Sequence, residues 1–431
     1  MRQMKDSGIE WIGQIPENIN VIRNKYLIKY EKGKLPKDLN TEKIGIPYVG
    51  ASELEDLSGE AEYTTYTTDV TIPQCDSSDV LILWDGARAG LIGTNHKGAV
   101  SSTIVNALPI KELDKRFWYW YLKAFQQHLY NRVNGTTIPH MNTDYIEEIA
   151  MLDWETEEQL QIAHFLDAKC DEIDALIEAK EKTNALLRER RQSIIYEAVT
   201  KGLNSDAPMK DSGIEWIGEI PIDWDVFPVK YLLDKKHPYP IGDGDHGMIK
   251  ADDYLSEGIP YVRVLNLTWG DGLNLETLVY ISEEMNNRIK NSELKPNDIL
   301  IAKTGATIGK TAIVPESLPR SNTTSHVGKI TISNDHDPKF FYYVMTSSVI
   351  QTQIQILSAM QSTRPELGID GLRNLLVVVP PVEKQQDIAT YLNHQCAELN
   401  SAIATNASMI EKLKEYRQSI IYEAVTGKIE I

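Results

Sequence analysis

Between Glu157 and Thr200 the positions Leu166, Cys170, Ile173, Ile177, Lys180, Asn184, Leu187, Arg191, Ile194 and Ala198 follow one another in alternating steps of four and three. Such spacing predicts a heptad seam along one long helix. Leu392, Cys396, Leu399, Ile403, Asn406, Ile410, Leu413, Arg417, Ile420 and Ala424 repeat it, and neither stretch contains Pro or Gly. About 44 residues at the α-helical rise make a rod of roughly 65 Å. The polar positions near mid-seam, Lys180, Asn184 and Asn406, read as a register device, and the pairing expected for the two helices is an antiparallel coiled coil.

The remaining chain has a different pattern. β-Branched runs such as Val80–Trp84, Tyr261–Leu265, Ile299–Ile301 and Leu375–Val379 alternate with turns and short helical stretches. The expected fold class is α+β, with two mixed globular modules and two long helices. The expected boundaries are 1–150 for the first module, 151–201 for the first helix, 202–378 for the second module and 379–431 for the second helix.

The chain is written twice. MKDSGIEWIG occupies Met4–Gly13 and again Met209–Gly218, and RQSIIYEAVT occupies Arg191–Thr200 and Arg417–Thr426. Between these blocks the likeness fades but keeps its order. GIPYV starts at Gly45 and Gly258; Asp79-Val-Leu-Ile-Leu and Asp298-Ile-Leu-Ile-Ala each run into a glycine turn, Gly86–Gly90 and Gly305–Gly309. Phe117–Tyr121 corresponds to Phe340–Val344, and Thr137-Ile-Pro to Thr363-Arg-Pro. An internal pseudo-twofold repeat follows. Identical blocks serve what both halves share, and diverged segments serve what each half does alone.

Charge complicates a nucleic-acid reading. The net charge is −18, from 44 Lys+Arg against 62 Asp+Glu, where nucleic-acid binders usually carry excess base. The deficit is local, however: residues 51–100, 151–200 and 201–300 carry −7, −6 and −8. Cys75, Cys170 and Cys396 form no CxxC pair, which gives neither a disulfide framework nor a zinc signature. No apolar run approaches the length of a membrane span, so the expectation is a soluble, cytoplasmic protein without a membrane partner.

Catalytic motifs fail on inspection. Thr304-Gly-Ala-Thr-Ile-Gly-Lys-Thr311 has Thr where a phosphate loop needs its first Gly. Glu178-Ala-Lys180 falls on the heptad helix, Pro380-Pro381 lacks the polar and aromatic flanks of a base-methylating site, and Gly242-Asp-Gly-Asp-His-Gly247 is ordinary turn chemistry. The aromatic clusters Phe117–Tyr121 and Phe340–Tyr343 belong to a repeated helical segment and read as core. Base does occur in loops among small polar residues, at Arg88, Lys97, Arg132, Lys303, Lys310, Arg320 and Arg364, near Asn134-Gly-Thr-Thr137 and Arg320-Ser-Asn-Thr-Thr-Ser-His326. Such loops offer Arg to guanine, Asn to adenine and hydroxyls to phosphate.

Two variable modules, each followed by a near-identical long helix, resemble the specificity subunit of type I DNA restriction-modification systems. GIPYV, the Gly-Ala-x-x-Gly turn, the Thr-x-Pro segment and Pro380-Pro-Val-Glu-Lys-Gln385 carry the resemblance. It implies two target-recognition domains, each reading one half of a bipartite target in double-stranded DNA, with the helices fixing the spacer. A rod of roughly 65 Å spans about nineteen base pairs. It also implies two modification subunits that bind S-adenosylmethionine and methylate adenine N6, joined by restriction-translocase subunits. No catalytic residue, metal or cofactor is then expected in this chain. The diverged loops become candidate DNA readers: Arg88, Lys97, Asn134, Thr136, Thr137 and His140 in the first half, and Arg263, Lys303, Thr307, Lys310, Arg320, Asn322, Thr323 and Arg364 in the second. Trp11, Trp216, Arg191, Tyr196, Arg417 and Tyr422, in the identical blocks, become candidate docking residues. The competing readings are a module serving a fused methyltransferase-nuclease and a scaffold unrelated to DNA.

Overall fold

The computed structural model describes residues 3–55, 62–131, 139–270, 272–318, 320–359 and 366–431. The chain divides into two compact units, one of Met1–Lys180 with Ser408–Ile431 and one of Glu181–Ala407. Each unit therefore holds one module, part of the helix that follows it and part of the other long helix.

In the first unit a hairpin pairs Met4–Asp6 with Gln14–Pro16. An antiparallel sheet then orders Ile28–Lys32, Ile104–Pro109, Val80–Leu83 and Ile92–Gly93. A second sheet orders Tyr66–Thr67, Ile46–Val49, Gly98–Val100 and Gln74–Cys75, with its middle pair parallel. Val80–Leu83 is buried on both faces, which explains why it reads as a continuous apolar run. The helix Lys115–Tyr130 packs on this sheet and begins where Asp114 accepts the Phe117 amide at 2.7 Å. Phe117 through Leu122 are six consecutive buried residues. Each large ring removes about 150–250 Å² from water, on the order of 4–6 kcal/mol gross. The expected core role of these aromatics is what the fold uses.

The second unit repeats the plan. Met209–Asp211 pairs with Glu219–Pro221, and one sheet orders Ile241–Asp243, Val327–Ile330, Ile299–Ala302 and Thr311–Ile313. A second orders Val279–Ile281, Ile259–Val262 and Asn322–Thr323, the last pair parallel. Asp337 caps Pro338–Thr346 through the Phe340 amide at 2.9 Å.

The long helices run Thr156–Lys201 and Val382–Val425. Within the first unit Trp154 donates its indole N–H to Val425 O at 3.0 Å, and Asp174 meets Arg417 at 2.9 Å. Within the second, Asn184 meets Asn406 and Arg191 meets Asn400. In both units one helix advances as the other recedes, so the pairing is antiparallel. Every seam position named from the sequence is buried or half-buried. Cys170 and Cys396 are buried free thiols in it, and burial pushes the Cys170 thiol up to about 11. They pack as small apolar groups.

The identical blocks meet each other. Tyr422 of the second helix donates its hydroxyl to Trp11 O (2.8 Å) and Ile12 O (3.0 Å) of the first hairpin, and Tyr196 donates to Ile217 O (3.4 Å) of the second. One hairpin-to-helix joint, built twice, accounts for much of their identity.

Candidate nucleic-acid interface

In each module the central strand ends in the glycine turn, and only glycine fits parts of it. Gly90, at φ +96°, donates to Leu83 O at 2.8 Å, and a Cβ there would meet Tyr130 Cδ1 at 3.1 Å. Gly309, at φ +89°, donates to Ala302 O at 3.0 Å, and its Cβ would strike the Gln351 side chain. Both turns project to the edge where the parallel strand pair also ends. Trp84 and Asp85 donate their amides to Thr103 O, and Lys34 donates to Val100 O.

Around the first turn a polar rim assembles. Asp85 accepts Lys32 Nζ at 2.7 Å and contacts His140 Nδ1 at 2.6 Å. Burial raises the Asp85 carboxyl, but Lys32 and His140 outweigh it and hold the group below the usual carboxylate range. Gly86 donates to Pro139 O and Met141 to Trp84 O, so the backbone at His140 is pinned to the turn. Arg88 lies half-exposed, ion-paired with Glu55 and donating to Ala51 O at 3.4 Å. Ser101 and Thr103 share a hydroxyl hydrogen bond at 3.1 Å alongside.

The second rim uses the same backbone with different chemistry. By register, Asp243 stands where Lys32 stands in the first sheet and Thr304 stands where Asp85 does. Asp243 forms an ion pair with Lys303 and contacts His246 Nε2 at 3.1 Å; Thr304 Oγ1 contacts His326 Nδ1 at 3.1 Å. Thr304 bridges Glu366 as Asp85 bridges His140. Thr307 and Lys310 sit on the turn, half-buried. Arg263 donates to Thr277 O at 2.9 Å and lies over the Tyr254 ring.

Several sequence candidates need correcting. Lys303 is 3% exposed and its ammonium is taken by Asp243, while Asn322 and Thr323 are fully buried. Asn322 accepts Ser292 Oγ at 2.7 Å and donates to Asn286 Oδ1, and Thr323 donates to Val262 O, all inside the fold. These three support the rim and do not face a ligand. Lys97 and Arg320 are equivalent residues at the far end of the parallel strand from the glycine turn. Lys97 is exposed there, and Arg320 is engaged by Glu283 and Glu293. The rims thus gather Arg88 and His140 in one unit, and Arg263, Thr307 and Lys310 in the other. Asn134, Thr136, Thr137 and Arg364 lie outside the described residues.

Of the docking candidates, Arg191 is 4% exposed, and Arg417 is bound to Asp174 while lying over Trp120 at 5.7 Å. Both close the helix pair: Arg191 is buried there, and the Arg417 guanidinium is paired with Asp174. Trp11 is half-buried against Phe125, whereas Trp216 is 38% exposed.

Sequence reasoning missed Lys32 and Asp85, read the segment of His246 as a turn, and named the loop of His326 without singling out the histidine. The internal repeat carried a signal for two of them, because Asp85 and Thr304, the partner of His326, each stand immediately before a glycine turn. The phosphate-loop lookalike is excluded on geometry. Lys310 is followed by the strand Thr311–Ile313, not by the helix N-terminus that would receive a phosphate. Among the described residues no three His, Cys, Asp or Glu side chains gather as a metal set, and no helix is long and apolar enough to cross a membrane.

Paired α+β modules joined by an antiparallel coiled coil, each with a rim on the same turn, define a duplicated recognition scaffold. The chain belongs to the type I restriction modification DNA specificity domain family, whose model matches residues 16–187 and 221–407. It is 27% identical over 425 residues to the type I restriction enzyme MjaVIII specificity subunit of Methanocaldococcus jannaschii, covering 97% of this chain and 94% of that one. It is 24% identical to the EcoBI specificity subunit of Escherichia coli, covering 91% and 82%. A solved chain from work on complex assembly and conformational transition of the type I R-M system matches its fold with a TM-score of 0.68 at 14% identity, covering 96% and 99%.

Proposed function

We propose that this chain is the DNA-reading subunit of a type I restriction-modification complex and that each module reads one half of a bipartite duplex target. The observation that carries this reading is the pair of glycine-turn rims, with one backbone plan and unlike side chains. Arg88, Lys32 and His140 surround the first, and Arg263, Thr307, Lys310 and His326 the second. Two unlike half-sites require that combination. The coiled coil sets the unread spacer. Two modification subunits supply S-adenosylmethionine and adenine methylation, and restriction-translocase subunits join them; this chain holds no cofactor and carries no catalytic residue. The exposed Trp216, beside the hairpin-to-helix joint, is the docking candidate that keeps an outward face.

The net charge of −18 implies weak binding by the isolated chain and leaves much of the phosphate neutralisation to the partners. The test is base-resolution mapping of methylated adenines. Replacing residues 209–378 with another module is expected to change one half-site and keep the other. Deleting one heptad from each helix is expected to shorten the spacer. A change in both half-sites, or in neither, refutes the modular reading.

A further inference from the structure

Beyond the glycine turn, the second rim carries an element that the function above leaves unassigned. After Ile259–Val262 the chain passes Arg263 and a 3-10 turn at Val264–Asn266, and Thr268 then comes to lie against Gly272. Thr268 closes this turn by donating its amide and hydroxyl to Gly272 O at 3.2 and 2.9 Å. Trp269 sits on it, 53% exposed.

Two independent contacts fix where the turn lies. On one side Trp269 forms a β-bridge with Thr311, the residue directly after Lys310, which places its backbone beside the turn that carries Thr307 and Lys310. On the other side Arg191 reaches from the first long helix. Its Nη2 donates to Trp269 O at 2.6 Å, its Nη1 donates to Asn400 Oδ1 of the second helix, and Asn400 Nδ2 donates to Gly270 O at 3.5 Å. Gly270, at φ +90°, lies so close that a Cβ would come within 2.8 Å of the guanidinium.

Arg417, the same residue of the identical block, is used differently: it binds Asp174, whose counterpart is Asn400. The matching stretch of the first half reads Asp56-Leu-Ser-Gly-Glu-Ala61 and contains no tryptophan. The tryptophan is therefore particular to the second half, although the arginine that holds it lies in a block common to both.

We propose that Trp269 contacts the DNA duplex at the edge of the second half-site nearest the helix pair, and that Arg191 is the positioning residue that presents it. An exposed indole whose own backbone is held by Arg191 and by the Thr311 bridge suits sugar and base edges, and a backbone already held loses less freedom on binding. This inference rests on the DNA-reading function above.

The experiment uses the complex reconstituted with its modification subunits and three duplexes: the intact target, one altered in its first half and one altered in its second. W269A is expected to bind the intact target about tenfold more weakly and to lose about tenfold of its discrimination against the second-half change. Discrimination against the first-half change stays as in the parent. R191K keeps the charge but loses the two-pronged donor, and moves binding in the same direction. The double variant is expected to be no weaker than W269A alone, because Arg191 acts through the turn; a merely structural role would add its own loss. Parent-like discrimination by W269A, equal loss on both halves, or additive effects in the double variant overturn the proposal. A parent complex with no preference for any of the three duplexes overturns the DNA-reading function itself.

Discussion

Asn406 donates its side-chain amide to the Asn184 carboxamide oxygen at 3.1 Å, between Ile403 and Ile410 on the seam of the helix pair. Asn184 is 5% exposed and directs its own amide toward Ile403 O. A polar pair in an apolar seam lowers stability and fixes register, because any slip buries two unpaired amides. N406L alone leaves the buried Asn184 carboxamide oxygen without its donor and is expected to cost about 1–3 kcal/mol. N184L/N406L is expected to recover that loss and exceed the parent, with broader association states. Urea denaturation and sedimentation check this; equal stabilities of the single and double variants would show that the two amides are not coupled.

At the first rim, Asp85 is the only carboxylate recorded against both Lys32 and His140 among the described residues. Its folded pKa is depressed, so its stabilising contribution is present above the unfolded value, about 3.9, and is lost as pH falls through the folded one. D85N removes that acid-side dependence and frees Lys32. Binding to unrelated duplex DNA is expected to tighten, and its dependence on salt to steepen by about one counterion. A titration over rising salt reads the slope directly, and an unchanged slope would refute a DNA-facing rim.

Much of this molecule was readable before any coordinates, and the misses have one cause. Heptad spacing and repeated blocks are local patterns, so the paired helices, the two modules and the aromatic core followed from residue order. Burial of a single polar side chain is decided by partners far along the chain. Lys303 looked like a loop cation until Asp243, sixty residues earlier, took its ammonium. Asn322 and Thr323 looked like a reader's amide and hydroxyl, but they form a two-residue strand beside Tyr261 and Val262. The identical Arg191 and Arg417 read as one shared function because identity reports the residue and not its neighbours. Asn400 against one and Asp174 against the other give them different tasks.

Arg417 tests how much of that closure is charge and how much is packing. Asp174 is 51% exposed, and exposed ion pairs contribute about 0–1 kcal/mol. D174N is therefore expected to change thermal stability little, and less still at high salt. R417A also removes the guanidinium from the Trp120 face and is expected to cost more, about 1–2 kcal/mol. Similar melting shifts for the two variants would show that the carboxylate, and not the indole, holds the arginine.

The same arginine adds to the effect of burial on an unusual amine. Lys123 lies over the Tyr119 ring and donates to Gln126 Oε1 at 2.9 Å, with Arg417 close by. Burial, and then the Arg417 charge, lower its pKa to about 8. The fold thus favours the neutral amine, while the unfolded chain takes up the proton near 10.4. Between about pH 8 and 10.4 the unfolded state holds more protons, so stability rises with pH across that window and is flat below it. K123M is expected to abolish this rise, measured by denaturation across the range. The lowered pKa also predicts that acylation of Lys123 rises with pH at a lower pH than acylation of Lys169, whose pKa Glu172 raises. Arg417→Met removes the neighbouring charge, and is expected to raise the Lys123 pKa and slow its labelling. Unchanged labelling in that variant would assign the whole shift to burial by the surrounding aromatic core.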